Sequence, residues 1–110
     1  MKTIRLTKLE SAAYTNGERR FWRAMRKQPD ASGSNGGKLR GVVWNDVFDQ
    51  WDAQYFGDHP RLVGKCPYGK PGDRIILAER NTCGTQATIT RAEVEQRNGR
   101  WGWVVEVGNE

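Results

Sequence analysis

Asn98-Gly99 lies between two runs of strand-forming residues, and few dipeptides constrain a chain more tightly. A two-residue hairpin needs positive φ at both turn positions to match the right-handed twist of its strands, and Asn-Gly accepts that geometry readily. The turn also sets the register. Arg97 then pairs with Arg100, and Gln96/Trp101, Val94/Trp103 and Ala92/Val105 fall opposite one another on one face, with Arg91 and Glu106 on the other. Residues 86–107 are therefore expected to form one hairpin, with Trp101 and Trp103 packed inward and one face in water.

A second fixed point is Cys66-Pro67-Tyr68-Gly69-Lys70-Pro71-Gly72-Asp73-Arg74, which runs directly into Ile75-Ile76-Leu77. Proline holds φ near −65° and glycine opens positive φ, so Pro71-Gly72 reads as a type II turn ahead of a buried strand over 75–79. Asp73 is expected to cap the turn's backbone N–H groups, with Arg74 bridging to it.

At the other end, Thr3-Ile4-Arg5-Leu6 alternates like a short strand, and Thr7-Lys8-Leu9-Glu10 has the reciprocal capping arrangement that starts a helix. That helix should turn Leu9, Ala12 and Ala13 inward and stop at Asn16-Gly17. The following segment, Glu18 to Lys27, is half basic. If extended, it sends Phe21, Arg23 and Met25 one way and Arg20, Trp22 and Ala24 the other.

Residues 28–41 centre on Asp30-Ala31-Ser32-Gly33-Ser34-Asn35-Gly36-Gly37, the composition of a flexible loop. From Val42 to Phe56, Trp44, Phe48, Trp51 and Tyr55 fit a helical spacing while Val42-Val43-Trp44 suits a strand. The expectation there is an exposed, partly irregular excursion whose aromatics cover the core. Arg61-Leu62-Val63 leads from His59-Pro60 into the Pro/Gly turn.

With 110 residues the chain has room for one domain and one core. Eighteen Lys+Arg against 13 Asp+Glu give a net charge of +5, which favours polyanionic partners. No apolar run reaches membrane-spanning length, and the start lacks a signal-peptide core, so a cytoplasmic location is expected. Cys66 and Cys83 form no C-x-x-C pair and the chain has one histidine, His59, so no metal, cofactor or disulfide framework is expected.

These pieces together resemble the ASCH family, in the small form common in phages and prophages. Cys66 to Arg74 carries the family's C-P-Y-G-x-P-G-D-R turn, followed by an apolar strand and, at Glu79, the family's glutamate. Ala78 stands where an arginine is usual. The family's Gly-x-Lys-Thr-x-Thr-Arg stretch reads Gly17-Glu18-Arg19-Arg20-Phe21-Trp22-Arg23: Gly17 and Arg23 match, Arg19 replaces lysine, and Arg20 and Trp22 replace both threonines.

The resemblance implies an α+β, mainly β domain spanning 1–110: a small PUA-like β-barrel, closed or nearly so, with one or two short helices and a cleft that handles RNA or modified nucleosides. Some relatives hydrolyse N4-acetylcytidine with a Lys, a Thr and a Glu, roles that fall here on Arg19, Trp22 and Glu79. An indole has no nucleophilic oxygen, and a guanidinium cannot serve as the base that a desolvated lysine can. The expectation is therefore a non-catalytic module for RNA, another single-stranded nucleic acid or a modified nucleoside.

Its contacts would come from Arg19, Arg20, Phe21, Trp22, Arg23, Arg26 and Glu79, the arginines tracking phosphates and an aromatic stacking on a base. Two alternatives stay open: a phage accessory protein that binds a host protein in the host cytoplasm, and an amidohydrolase acting on a modified nucleoside.

Overall fold

The computed structural model describes residues 1–108. The chain is mostly β with one short helix. It begins with β1 (Lys2–Leu6) and α1 (Lys8–Thr15), continues through β2 (Arg20–Ala24), β3 (Leu39–Asn45), β4 (Gln50–Tyr55) and β5 (Arg61–Gly64), and ends with β6 (Arg74–Glu79), β7 (Thr85–Arg97) and β8 (Arg100–Gly108). Two sheets result: a five-stranded one in the order β1-β6-β7-β8-β2 and a three-stranded one in the order β3-β4-β5.

The local signals at both ends act as their chemistry requires. Thr7 Oγ1 accepts from the Glu10 N–H at 3.1 Å and Glu10 Oε1 accepts from the Thr7 N–H at 3.0 Å, a complete capping box. At the far end Gly17 takes φ 104°, with Gly17 N–H donating to the Tyr14 carbonyl and Glu18 N–H to that of Ala13. This paired exit consumes two carbonyls that the helix leaves unmatched. The inward face is not the expected one, however. Leu9 is 86% exposed, and Tyr14 is the helix residue that packs on the core. The strand-to-helix turn sets the helix's rotation, which its short apolar pattern does not specify.

The hairpin forms in the expected register, with Arg97 opposite Arg100, Val94 opposite Trp103, Ala92 opposite Val105 and Arg91 opposite Glu106. A shift between Ile89 and Arg91 re-aims β7, so that its first half pairs with β6 and its second with β8. Trp103 is buried, Trp101 half-buried. One expectation fails: the second face of β8 is not wet throughout. Val104 is 2% exposed there, in register with Trp22 of β2, whose indole lies against Gly102 and donates from Nε1 to the Glu95 carbonyl at 3.0 Å.

The Pro/Gly turn acts as a rigid connector. Asp73 N–H donates to the Lys70 carbonyl across Pro71-Gly72, where Gly72 has φ 96°, and Asp73 Oδ2 accepts from the Lys70 N–H. Two further backbone bonds, Gly72 to Ile89 and Ile89 to Asp73, fasten the turn to β7. Cys66 and Tyr68 pack against the core formed by Ile4, Leu6, Phe21, Ile75, Leu77, Ala87, Ile89, Val105 and Val107.

The sheets do not close into a barrel, which corrects the expectation of a closed or nearly closed one. β1 and β2 are the two edges of the larger sheet and share no ladder. A side chain spans the interval instead: Arg23 on β2 donates to the Arg5 carbonyl on β1 at 2.6 Å.

Residues 42–58 are also more regular than expected. β3 and β4 form an antiparallel hairpin in which Trp44 faces Trp51, their rings edge to face at 5.5 Å. The helical-looking aromatic spacing is a cross-strand pairing seen in one dimension. Asn45 Oδ1 accepts from the Val47 and Phe48 N–H groups to shape the turn, and Asp49 takes φ 52°. The expected covering role is met only in part: Tyr55 is buried and Trp51 half-buried, but Trp44, Phe48 and Phe56 are exposed, and the core cluster of the larger sheet includes none of them.

The loop expected over 28–41 is structured at both ends. Gln28 bridges its side chain to the Met25 and Trp101 carbonyls and to the Trp101 N–H, while β3 already begins at Leu39.

Candidate functional site

β1 and β6 run parallel, and their register places Leu6 beside Glu79. Both strands therefore end at the same level, with α1 leaving just beyond β1. The space between this helix and the strand ends is a cleft of about 550 Å³, lined by Tyr14, Arg19, Leu77, Glu79, Thr82 and Thr85 among others.

Glu79 reaches the cleft through strand alternation. Ile75 and Leu77 point into the core, and Glu79 is the next residue in that row, where the apolar cluster ends. Its backbone is held by the turn that follows: Thr82 donates to the Glu79 carbonyl from both N–H (3.2 Å) and Oγ1 (2.8 Å). Gly84 completes that turn at φ 73°. A Cβ there would fall 2.5 Å from both the Leu77 carbonyl oxygen and the Ala78 Cβ, so only glycine lets the chain return this close to β6.

Arg19 follows the Gly17 exit of α1. Its Nη1 donates to the Tyr14 carbonyl at 2.7 Å and the Glu18 carbonyl at 3.0 Å, and its guanidinium carbon stands 4.0 Å from the Tyr14 ring centroid. The helix terminus and the aromatic face thus hold a cation at the cleft wall. The cleft can offer an anion or a base one planar cation, one carboxylate and the hydroxyls of Ser11, Thr15, Thr82 and Thr85.

The remaining residues expected to bind nucleic acid are dispersed. Phe21 is 2% exposed within the core and has no face for stacking. Trp22 lies on the opposite side of β2, over Gly102, with Arg97 5.7 Å from its ring. It does not line the cleft, so the position matching the family's threonine points elsewhere. Arg20 shares that outer face and pairs with Glu95 at 2.9 Å and Glu106 at 3.9 Å.

Arg23 turns inward to Glu10, with Nη1 to Oε2 at 2.6 Å and Nη2 to Oε1 at 2.7 Å. Partial burial pushes the Glu10 carboxyl up, but the Arg23 and Thr7 hydrogen bonds and the Arg23 charge outweigh it and hold the group below its ordinary value. Arg26 lies exposed beyond the end of β2.

Of the seven expected residues, Arg19 and Glu79 line this cleft, while Arg19 and Arg20 also border a smaller hollow of about 320 Å³ beside Glu106 and Val107. Tyr14, Thr82 and Thr85 were missed by the sequence reading. Tyr14 had a signal: with Ser11 and Thr15 it occupies one side of a helix whose end is marked by Gly17.

Among the described residues, no group of three His, Cys, Asp or Glu side chains is placed to hold a metal, and no helix is long and apolar enough to cross a membrane. Cys66 and Cys83 are free. Burial pushes the Cys66 thiol up, against smaller opposing effects from the Tyr68 and Gly69 N–H groups and the Lys2 charge. Comparison of the chain with protein-family models, with curated proteins and with solved structures finds no match.

Proposed function

We propose that the protein is a PUA-like module of the ASCH type that binds RNA, another single-stranded nucleic acid or a modified nucleoside in the cleft between α1 and β6, without catalysis. The observation that carries this reading is the convergence of Arg19 and Glu79, from distant parts of the sequence, on the walls of one cleft. A carboxylate can accept from the exocyclic amine of a base, while a guanidinium held against Tyr14 suits a phosphate or a base carbonyl.

Charge distribution supports the same reading. Residues 1–29, which include α1 and Arg19, contain eight Lys or Arg against two Glu, more than the whole net charge of +5. The cleft's chemistry supports a reading without catalysis. Arg19 offers a guanidinium where the hydrolytic relatives have a lysine, and Trp22 provides neither a hydroxyl nor a place in the cleft. The bacteriophage or prophage origin belongs to this proposal through the resemblance, and the cytoplasmic location is proposed with it.

The test is a salt titration of binding to a short single-stranded RNA, comparing wild type with Arg19→Ala and Trp22→Ala. Arg19→Ala should weaken binding and flatten the salt dependence, whereas Trp22→Ala, remote from the cleft, should leave the affinity of the folded protein unchanged. No binding by wild type at low salt would overturn the proposal and leave a host protein as the leading partner.

A further inference from the structure

The smaller hollow lies where the chain enters β2 and is lined by Glu18, Arg19, Arg20, Thr90, Glu106 and Val107. Strand pairing builds it. Arg20 is in register with Glu106 on β8, and the Val107 N–H donates to the Arg19 carbonyl at 2.9 Å, which fastens the segment leaving α1 to the sheet. Arg19 lines this hollow and the cleft alike, so a ligand that extends from the cleft past Arg19 enters the hollow.

Thr90 is brought in by the bulge in β7. The ladder pairs Ile89 with Val107 and Arg91 with Glu106, which leaves Thr90 as the extra residue without a partner on β8. A bulge re-aims such a residue out of the strand's alternation. The Thr90 methyl lies over Gly108, where a Cβ would stand 3.2 Å from it.

The chemistry of the hollow differs from that of the cleft. Two carboxylates, Glu18 and Glu106, stand beside Arg19 and Arg20, and Arg20 is already held by Glu95 at 2.9 Å. A phosphate diester is anionic and has no proton to donate, so these carboxylates repel it. A sugar hydroxyl is suited to them: it donates to a carboxylate in a short, charge-assisted bond and accepts from a threonine hydroxyl. Glu106 is placed to accept, with 31% of its side chain exposed and its Arg20 contact, at 3.9 Å, too long for a hydrogen bond.

We propose that this hollow receives ribose hydroxyls of a strand bound in the cleft, with Glu106 and Thr90 reading a 2′-hydroxyl, so that the protein selects RNA over DNA. The 2′-hydroxyl is the group by which a protein tells the two polymers apart, and it both donates and accepts. The inference rests on the nucleic-acid reading and narrows its ligand to a ribonucleotide strand.

Fluorescence anisotropy at low salt tests it, with a short single-stranded RNA and the 2′-deoxy strand of identical bases, deoxyuridine included. Wild type should bind the RNA about tenfold more tightly, the worth of one hydrogen bond to a charged group. Glu106→Gln and Thr90→Val, both at the surface, should each narrow that ratio. A purely electrostatic role of Glu106 would raise the affinity for both strands alike and leave the ratio unchanged. Equal binding of RNA and DNA by wild type, or a ratio untouched by both variants, would overturn this inference and leave the nucleic-acid reading standing. Binding of neither strand would remove both.

Discussion

Arg23 and Glu10 form a two-pronged ion pair that joins the larger sheet's free edge β2 to the helix above the cleft, with N–O distances of 2.6 and 2.7 Å. The same guanidinium donates to the Arg5 carbonyl on β1 and the Trp22 carbonyl on its own strand. Both charged side chains are about three-quarters buried, at 24% and 25% exposure. One residue thereby does the bridging that an additional strand would do in a closed barrel, and it fixes the cleft wall carrying Tyr14. This commitment is why Arg23, a phosphate-contact candidate by sequence, serves the fold instead.

Replacing Arg23 by Met should destabilise the protein by roughly 1–3 kcal/mol in urea unfolding, since the change removes the cation paired with the Glu10 carboxylate and the donor to the Arg5 carbonyl together. Arg23→Lys keeps the charge but not the planar fork, so it should fall between Met and wild type.

Because Glu10 is held below its ordinary value of 4.5, its contribution to stability is present above that pH and is lost as pH falls through the lower folded-state value. Glu10→Gln should lower stability at neutral pH and flatten the loss of stability in this acid window. A pair of pH–stability curves checks both effects, and an unchanged acid limb in Glu10→Gln would refute the assignment.

Trp103→Ala empties a buried site beside Val105 and should cost about 3–5 kcal/mol. Trp22→Ala should also destabilise, by uncovering Gly102 and Val104, but by less because Trp22 is only half-buried. Denaturant midpoints measured side by side give the ranking.

Gly84→Ala should destabilise by roughly 1–3 kcal/mol, because it combines positive φ with a clash against the backbone of β6. Thermal unfolding reports that loss. RNA binding by the same variant should fall as the turn that positions Thr82, Thr85 and the Glu79 backbone shifts.

Incubation with N4-acetylcytidine should release no cytidine above a buffer control. Release that disappears in Glu79→Gln would instead make the cleft catalytic. For RNA, the wild-type salt dependence should have a log–log slope of about −0.7 per phosphate contact, with Arg19→Ala shallower by one such contact.

The features legible in the sequence are those set by neighbours along the chain. Asn98-Gly99 fixed the hairpin register, Pro71-Gly72 the type II turn, and Thr7 with Glu10 the start of a helix that Gly17 ends, because each depends on backbone dihedrals and hydrogen bonds spanning a few residues. Alternation similarly placed Phe21 and Met25 on one side of a strand and Trp22 on the other. Which side would be covered was a different matter. Trp22 is held by the Glu95 carbonyl and the bare Gly102 backbone, partners more than 70 positions away, and Arg23 was claimed by Glu10 and Arg5 rather than left for a phosphate. Trp44 and Trp51 could mimic a helical period because a seven-residue spacing fits both two helical turns and a cross-strand pair, and only the pairing of β3 with β4 decides between them. The cleft depends on tertiary structure most of all: parallel pairing of β1 with β6 set Leu6 beside Glu79, and only that register carried the carboxylate to the helix end where Tyr14 holds Arg19.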